Sequence, residues 1–254
     1  MSSPTTIQVP TFSPAEIVRR APVAQAANGI CFATVGENAI TASELEKMAG
    51  AVPMAVAAAL RKKAYYFVPL TVPDGEETRI AEKYDVALSD KAICHRNLTL
   101  GDSQCVFIST RLMDDKFSVA FEFFINIGHG FVDVAGVSQE FTDLVSQQVE
   151  QGVKGETSLD AYELRRAAFD RDAANSTFRM VDEKAKTGYL SAAFSDAIAI
   201  YMLSLYLDFD YYDLREREYP LLAPAAIAER LRKVVQLFPA NPGYEFSIIF
   251  RRRP

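Results

Sequence analysis

The sequence predicts an α+β fold: an antiparallel β-meander covered on one face by a helical C-terminal half, with the last strand returning to the sheet. Three observations carry that reading. Extended runs at residues 91–99, 104–112 and 116–127 are separated by the turn residues Gly101-Asp102 and Asp114-Asp115. From Ser138 onward apolar residues recur at helical spacing. Residues 244–251 alternate again, with Tyr244, Phe246, Ile248 and Phe250 to one side.

The elements follow in order. Residues 1–13, rich in Ser, Thr and Pro, read as an irregular arm, and residues 14–254 as a single α+β domain. Ser13-Pro14 supplies an N-cap followed by proline at the first helical position, opening a helix through Arg20. A brief strand follows over 30–35. Thr41 and Glu44 have the capping-box spacing, in which each side chain satisfies a backbone N–H at the other residue. Pro53 kinks that helix or begins a second one running to Lys63. Residues 64–72 read as a strand that Pro69 demotes to an edge or a bulge. After the meander, residues 138–151 place Phe141, Leu144, Val145 and Val149 on one helical face and stop at Gly152. Thr157 and Asp160 start a helix reaching about Asp172, and a segment over 176–186 closes at Gly188. An apolar helix over 189–207 comes next. Pro224 opens an amphipathic helix with Ile227, Leu231, Val234, Val235 and Phe238 on its stripe, ended by Pro239.

Composition narrows the function classes. A chain of 254 residues with 49% hydrophobic content is long enough to bury a core without staples. Thirty-three acids against 27 bases leave a formal charge of −6, which argues against binding nucleic-acid phosphates. The run Arg251-Arg252-Arg253 reads as a solvated tail. Cys31, Cys94 and Cys105 are odd in number and far apart, so neither a disulfide framework nor a thiolate zinc site is expected, and a reducing, cytoplasmic compartment is. The first basic residue is Arg19, which makes a poor signal peptide. Residues 189–207 match a bilayer span in length, but Asp196 near their middle favours a buried core helix over a membrane one.

Two-residue hairpin turns would set Leu100 opposite Ser103, His95 opposite Ile108, and Ile108 opposite Phe121. Val106, Ile108, Phe117, Val119, Phe121 and Phe123 then share one face, and His95 joins them as a neutral core histidine. Arg96 and Glu122 fall on the other, solvent-facing side, where a cross-strand ion pair explains them; they are weaker binding candidates. Cys94 and Cys105 also face that side, away from any histidine partner. His129 lies eight residues beyond Phe121, about 26 Å along a straight strand. The two histidines are therefore expected apart, with no shared metal.

His129 sits in Gly128-His129-Gly130, and with Asp133 to orient it, it is the candidate general base. The plainer reading is that this tripeptide turns the chain out of the sheet. Residues 208–218 hold five acids and two arginines, with Asp210, Asp213 and Arg217 on one helical face; a solvated helix end is favoured over a magnesium or calcium site. Tyr189, Tyr201, Tyr206, Tyr211, Tyr212 and Tyr219 are unusually dense, and Tyr201 and Tyr212 are taken as candidates for a partner interface. Phosphate-loop and nucleophile-elbow motifs are absent. This favours a soluble intracellular binding or assembly protein that self-associates into a homo-oligomer, without cofactor, metal, membrane or nucleic acid. The alternatives are an enzyme centred on His129 and Asp133, and a carrier holding a small molecule in an apolar cavity.

Overall fold

Capping chemistry decides where the first helices begin. The computed structural model of the chain describes residues 9–113, 115–171, 178–214 and 219–248. In chain order the elements are β1 (Thr11–Phe12), α1 (Pro14–Arg20), β2 (Ala24–Gln25), β3 (Cys31–Thr34), α2 (Ala42–Gly50), α3 (Met54–Ala59), β4 (Lys63–Val68), β5 (Leu70–Asp74), β6 (Glu77–Ala81), α4 (Val86–Ser89), β7 (His95–Leu100) and β8 (Ser103–Ser109). Then follow α5 (Lys116–Ala135), α6 (Gln139–Glu150), α7 (Leu159–Ala168), β9 (Phe169–Arg171), β10 (Phe178–Met180), α8 (Glu183–Tyr206), a 3-10 turn at Tyr211–Leu214 and α9 (Pro224–Leu237). Both expected capping boxes form. The Ser13 hydroxyl accepts from the Glu16 backbone while Glu16 reaches back to the Ser13 N–H. Thr41 and Glu44 exchange the same pair of bonds, at 3.2 and 2.9 Å.

The chain divides into two compact units, residues 1–50 with 61–123, and residues 51–60 with 124–254. In the first unit a five-stranded sheet runs β2-β3-β4-β8-β7, and a three-stranded sheet runs β1-β6-β5. The larger sheet is mixed: β3, β4 and β8 are parallel, and β7 and β2 are antiparallel to their neighbours. The β7–β8 hairpin has the register read from its turn, Leu100 opposite Ser103 and His95 opposite Ile108. The third run is a different matter, because residues 116–135 form helix α5. The meander is thus a single hairpin, and its neighbour on the inner side is β4. Nor is the sheet covered on one face alone. Tyr65 and Phe67 meet Phe123 of α5 on one side. Tyr66, Val68, Cys105 and Phe107 pack with Ile17 of α1 and Ile80 of β6 on the other. Central parallel strands are usually buried in this two-sided way. Pro69 makes no edge of β4; it divides the run, so that β4 stays inside the larger sheet and Leu70 begins a strand of the smaller one.

The second unit is helical, as the C-terminal half was expected to be. Helix α8 begins at Glu183 on the Asp182 cap and runs through Gly188 without stopping. A Cβ at Gly188 would come 3.2 Å from the Leu164 side chain, so this glycine serves helix packing rather than termination. Helix α7 starts one residue later than expected, on the Ser158 cap, and ends at Ala168. By length and composition α5 and α8 could each cross a membrane, yet 89% of the apolar stretch of α8 is buried by the protein itself. Residues 244–248 form no strand, so among the described residues nothing returns to the sheet. The rest of that expected strand, Arg251–Arg253, Ser176 and Arg217 lie outside the described residues.

Gly128-His129-Gly130 is no turn. It lies within α5, where a Cβ on Gly128 would stand 2.5 Å from the Ser195 carbonyl oxygen of α8. The missing side chain lets the two backbones touch. Gly128→Ala is therefore expected to destabilise the fold by about 1–3 kcal/mol through overpacking, read as a lower urea midpoint with an unchanged m-value.

Candidate functional site

Two polar constellations stand out, one in each unit. In the first, His95 opens β7, the last strand of the larger sheet, and its side chain projects to the face on which α5 lies. Its Nδ1 meets the carboxylate of Glu122 on α5. The His95 and Glu122 side chains are 37% and 19% exposed, so the pair sits at the boundary between core and solvent. In the neutral imidazole, a carboxylate at Nδ1 places the proton there and the lone pair on Nε2. The expected Arg96–Glu122 ion pair across strands does not form, because Glu122 is helical and faces His95. Arg96 sits on the opposite face of β7, exposed and without an ion pair among the described residues. His95 accordingly bonds a carboxylate at the sheet margin, where a core position among apolar neighbours was expected.

The second constellation is buried. Glu156 and Arg230 are wholly inaccessible. The Glu156 carboxylate accepts from Arg230 at 2.8 and 3.2 Å, from Arg165 at 2.9 Å and from the Tyr189 hydroxyl at 2.6 Å. Gln148 accepts from Arg230 Nε at 2.9 Å, and the Arg165 guanidinium also donates to the Gly155 and Val153 carbonyls. Nearby on α8, Asp196 accepts a 2.7 Å bond from the Thr157 hydroxyl and another from Ser158. Burial pushes its carboxyl above the ordinary range, and the charge of Glu156 adds to that; the hydroxyls of Ser158 and Thr157 and the imidazole of His129 pull the other way.

The remaining expected residues separate. His129 and Asp133 are one helical turn apart on α5, and both are exposed. The distance of about 26 Å rested on a strand rise of 3.3 Å per residue; a helix advances about 1.5 Å, and that ruler fails. Tyr201 is fully buried and donates to the Phe238 carbonyl at 2.9 Å. Tyr189, Tyr206, Tyr211 and Tyr219 are buried too, and Tyr212 alone of the six is exposed, at 38%. Five of the six tyrosines build the interior of the helical unit, and Tyr212 alone lies at its surface. Sequence reasoning missed Glu156, Arg165 and Arg230. One signal was present: Arg230 occupies an apolar position of the α9 stripe, three residues after Ile227 and four before Val234. Among the described residues no three His, Cys, Asp or Glu side chains gather as metal ligands would. Compared with models of known protein families and with curated proteins, the chain matches none.

Glu156→Gln leaves two buried guanidinium groups short of counter-charge, and a loss of about 3–5 kcal/mol is expected, visible as a collapse of the thermal midpoint. Asp196 titrates in the opposite sense to a salt-bridged acid. Its folded pKa lies above its unfolded one, so stability falls as pH rises from the unfolded value towards the folded one and stays lower above it. Asp196→Asn is expected to exceed the wild type in urea midpoint at pH 7 and to match it near pH 3.

Proposed function

We propose that the chain is a hydrolase in which His95, oriented by Glu122, acts as general base on water attacking a carbonyl compound held against β7. The observation that carries this reading is the bond between His95 Nδ1 and the Glu122 carboxylate. A carboxylate behind one ring nitrogen fixes the tautomer, aims the other nitrogen and stabilises the imidazolium that forms when a proton is taken. The half-exposed position supports the same role, because a base must reach solvent and substrate together.

The substrate's shape follows from the strand. Among the described residues nothing pairs with the outer edge of β7, and an open edge accepts an extended chain through main-chain hydrogen bonds. Asn97 and Thr99, on the same alternation as His95, are exposed along that edge.

Hydrolysis of p-nitrophenyl acetate by the full chain tests the reading. His95→Ala is expected to lower kcat by about 10²–10⁴-fold, Glu122→Gln to lower it less, and His129→Ala to leave it unchanged. Wild-type turnover by the His95→Ala variant overturns the assignment, and loss in His129→Ala instead moves the base to α5.

A further inference from the structure

Strand β7 ends the larger sheet with its outer edge unpaired among the described residues. The two-residue turn at Gly101-Asp102 closes the hairpin on Leu100 and Ser103, which therefore exchange backbone hydrogen bonds. The exchange recurs at every second residue, so Leu98 and Arg96 also turn their backbone towards β8. The bond from the Ser109 N–H to the Cys94 carbonyl, at 2.8 Å, fits the same alternation. His95, Asn97 and Thr99 thus aim their N–H and C=O groups outward, and among the described residues no backbone group takes them. An open edge of this kind is a template for another strand.

Residues 244–248 are the matching piece. Tyr244, Phe246 and Ile248 are half-buried while Glu245 and Ser247 are exposed, the alternation of a strand with one face covered. The segment is anchored at its start, where the Asn241 side chain accepts from the Met54 N–H at 3.1 Å and donates to the Val52 carbonyl at 2.7 Å. Phe246 rests against Tyr201 of α8, 5.6 Å between ring centroids. Yet no backbone hydrogen bond reaches residues 245–248 among the described residues. The segment has the side-chain placement of a strand and no sheet. Its two faces agree in kind with those of β7, where Leu98 and Leu100 are half-buried against the core around Ile17, and Asn97 and Thr99 are exposed. Charge agrees too: β7 carries Arg96 and no acid, and residues 244–248 carry Glu245 and no base.

We propose that residues 244–248 of one copy of the chain pair with the outer edge of β7 in a second copy, each supplying the main-chain groups that the other lacks. Within one chain the two are not bonded to each other. Each copy owns one edge and one segment, so reciprocal exchange satisfies both and closes the assembly as a dimer. Main-chain bonds supply the affinity, and the alternation of half-buried and exposed residues on both strands sets the register, because a slip of one residue would turn the apolar row outward. The inference stands independently of the role of His95. It bears on that role in one respect: an edge filled by the segment holds no extended substrate, so segment and substrate compete for β7.

Sedimentation of the full chain over a concentration series tests the pairing, and a monomer–dimer equilibrium is expected. Thr99→Pro removes an outward N–H of β7 and leaves the bonds to β8 intact. Ser247→Pro combined with Ile248→Pro removes two successive N–H groups; these point to opposite edges, so one of them is a pairing donor whatever the register. Each variant is expected to raise the dimer dissociation constant about tenfold or more, with far-ultraviolet circular dichroism unchanged. In the wild type, hydrogen exchange at the Asn97 and Thr99 amides is expected to slow as concentration rises, a readout that needs no variant. A wild type that stays monomeric, or that grows without limit into larger species, overturns the proposal. So does a dimer whose Asn97 and Thr99 amides stay unprotected. A dimer lost in Thr99→Pro but kept in the double variant pairs edge with edge and overturns the assignment of residues 244–248. None of these results alters the test of His95, which rests on its own variants.

Discussion

A single carboxylate holds the helical unit together. Glu156 sits in the loop before α7, and its two oxygens receive Arg165 from α7, Tyr189 from α8 and Arg230 from α9, while Gln148 of α6 takes the remaining side of Arg230. Three helices thus meet on one carboxylate, and a fourth joins through Arg230. Taking these charges out of water costs several kcal/mol per ion, and only near-complete hydrogen bonding offsets it. Here the offset is built in: the Glu156 backbone also bonds to Pro220 and Leu222, fixing the loop that carries the carboxylate. The consequence is specificity of arrangement. An apolar stripe on α9 could slide along α8, but a guanidinium with one buried acceptor set cannot.

Local chemistry was legible in the sequence. Ser13-Pro14, Thr41 with Glu44, and Pro224 each began a helix where their side chains or rings require one. The β7–β8 register followed from the turn at Gly101-Asp102, because a two-residue loop leaves a single pairing open. Residues 116–127 were misread for a definite reason. Phe117, Val119, Phe121, Phe123 and Ile125 alternate, but the buried set is Val119, Ala120, Phe123, Phe124 and Ile127, a helical stripe. Both periods coexist in a segment apolar on most sides. Length arbitrates: twelve residues exceed an ordinary strand, and α5 continues to Ala135.

That one misassignment hid the site. His95 was placed on the correct face by the hairpin register, but Glu122 on a strand would point to the opposite face, and the contact between them could not be foreseen. On α5 the same residue comes down beside His95. The glycines around His129 were read as turn formers, when Gly128 is small because Ser195 of α8 presses its backbone against it. Gly188 carries the same lesson, since a glycine in a helix can mark a close neighbour as readily as an end. Glu156 left no trace in the sequence at all. Its partners arrive from 9, 33 and 74 residues away, a separation that periodicity cannot bridge.

Satisfaction of polar groups distinguishes the two constellations in kind. In the helical unit the ionised groups of the Glu156 cluster have their partners, and Asp196, held above its usual range by burial, is bonded to two hydroxyls, while the neighbouring Ser195 hydroxyl is buried without a partner among the described residues. Chemistry there is consumed by structure. In the sheet unit His95 commits Nδ1 to Glu122, and the hydroxyls of Tyr65 and Thr71 are buried without a hydrogen-bond partner among the described residues. Folds pay for such loose ends in stability, and retain them where another molecule completes the set.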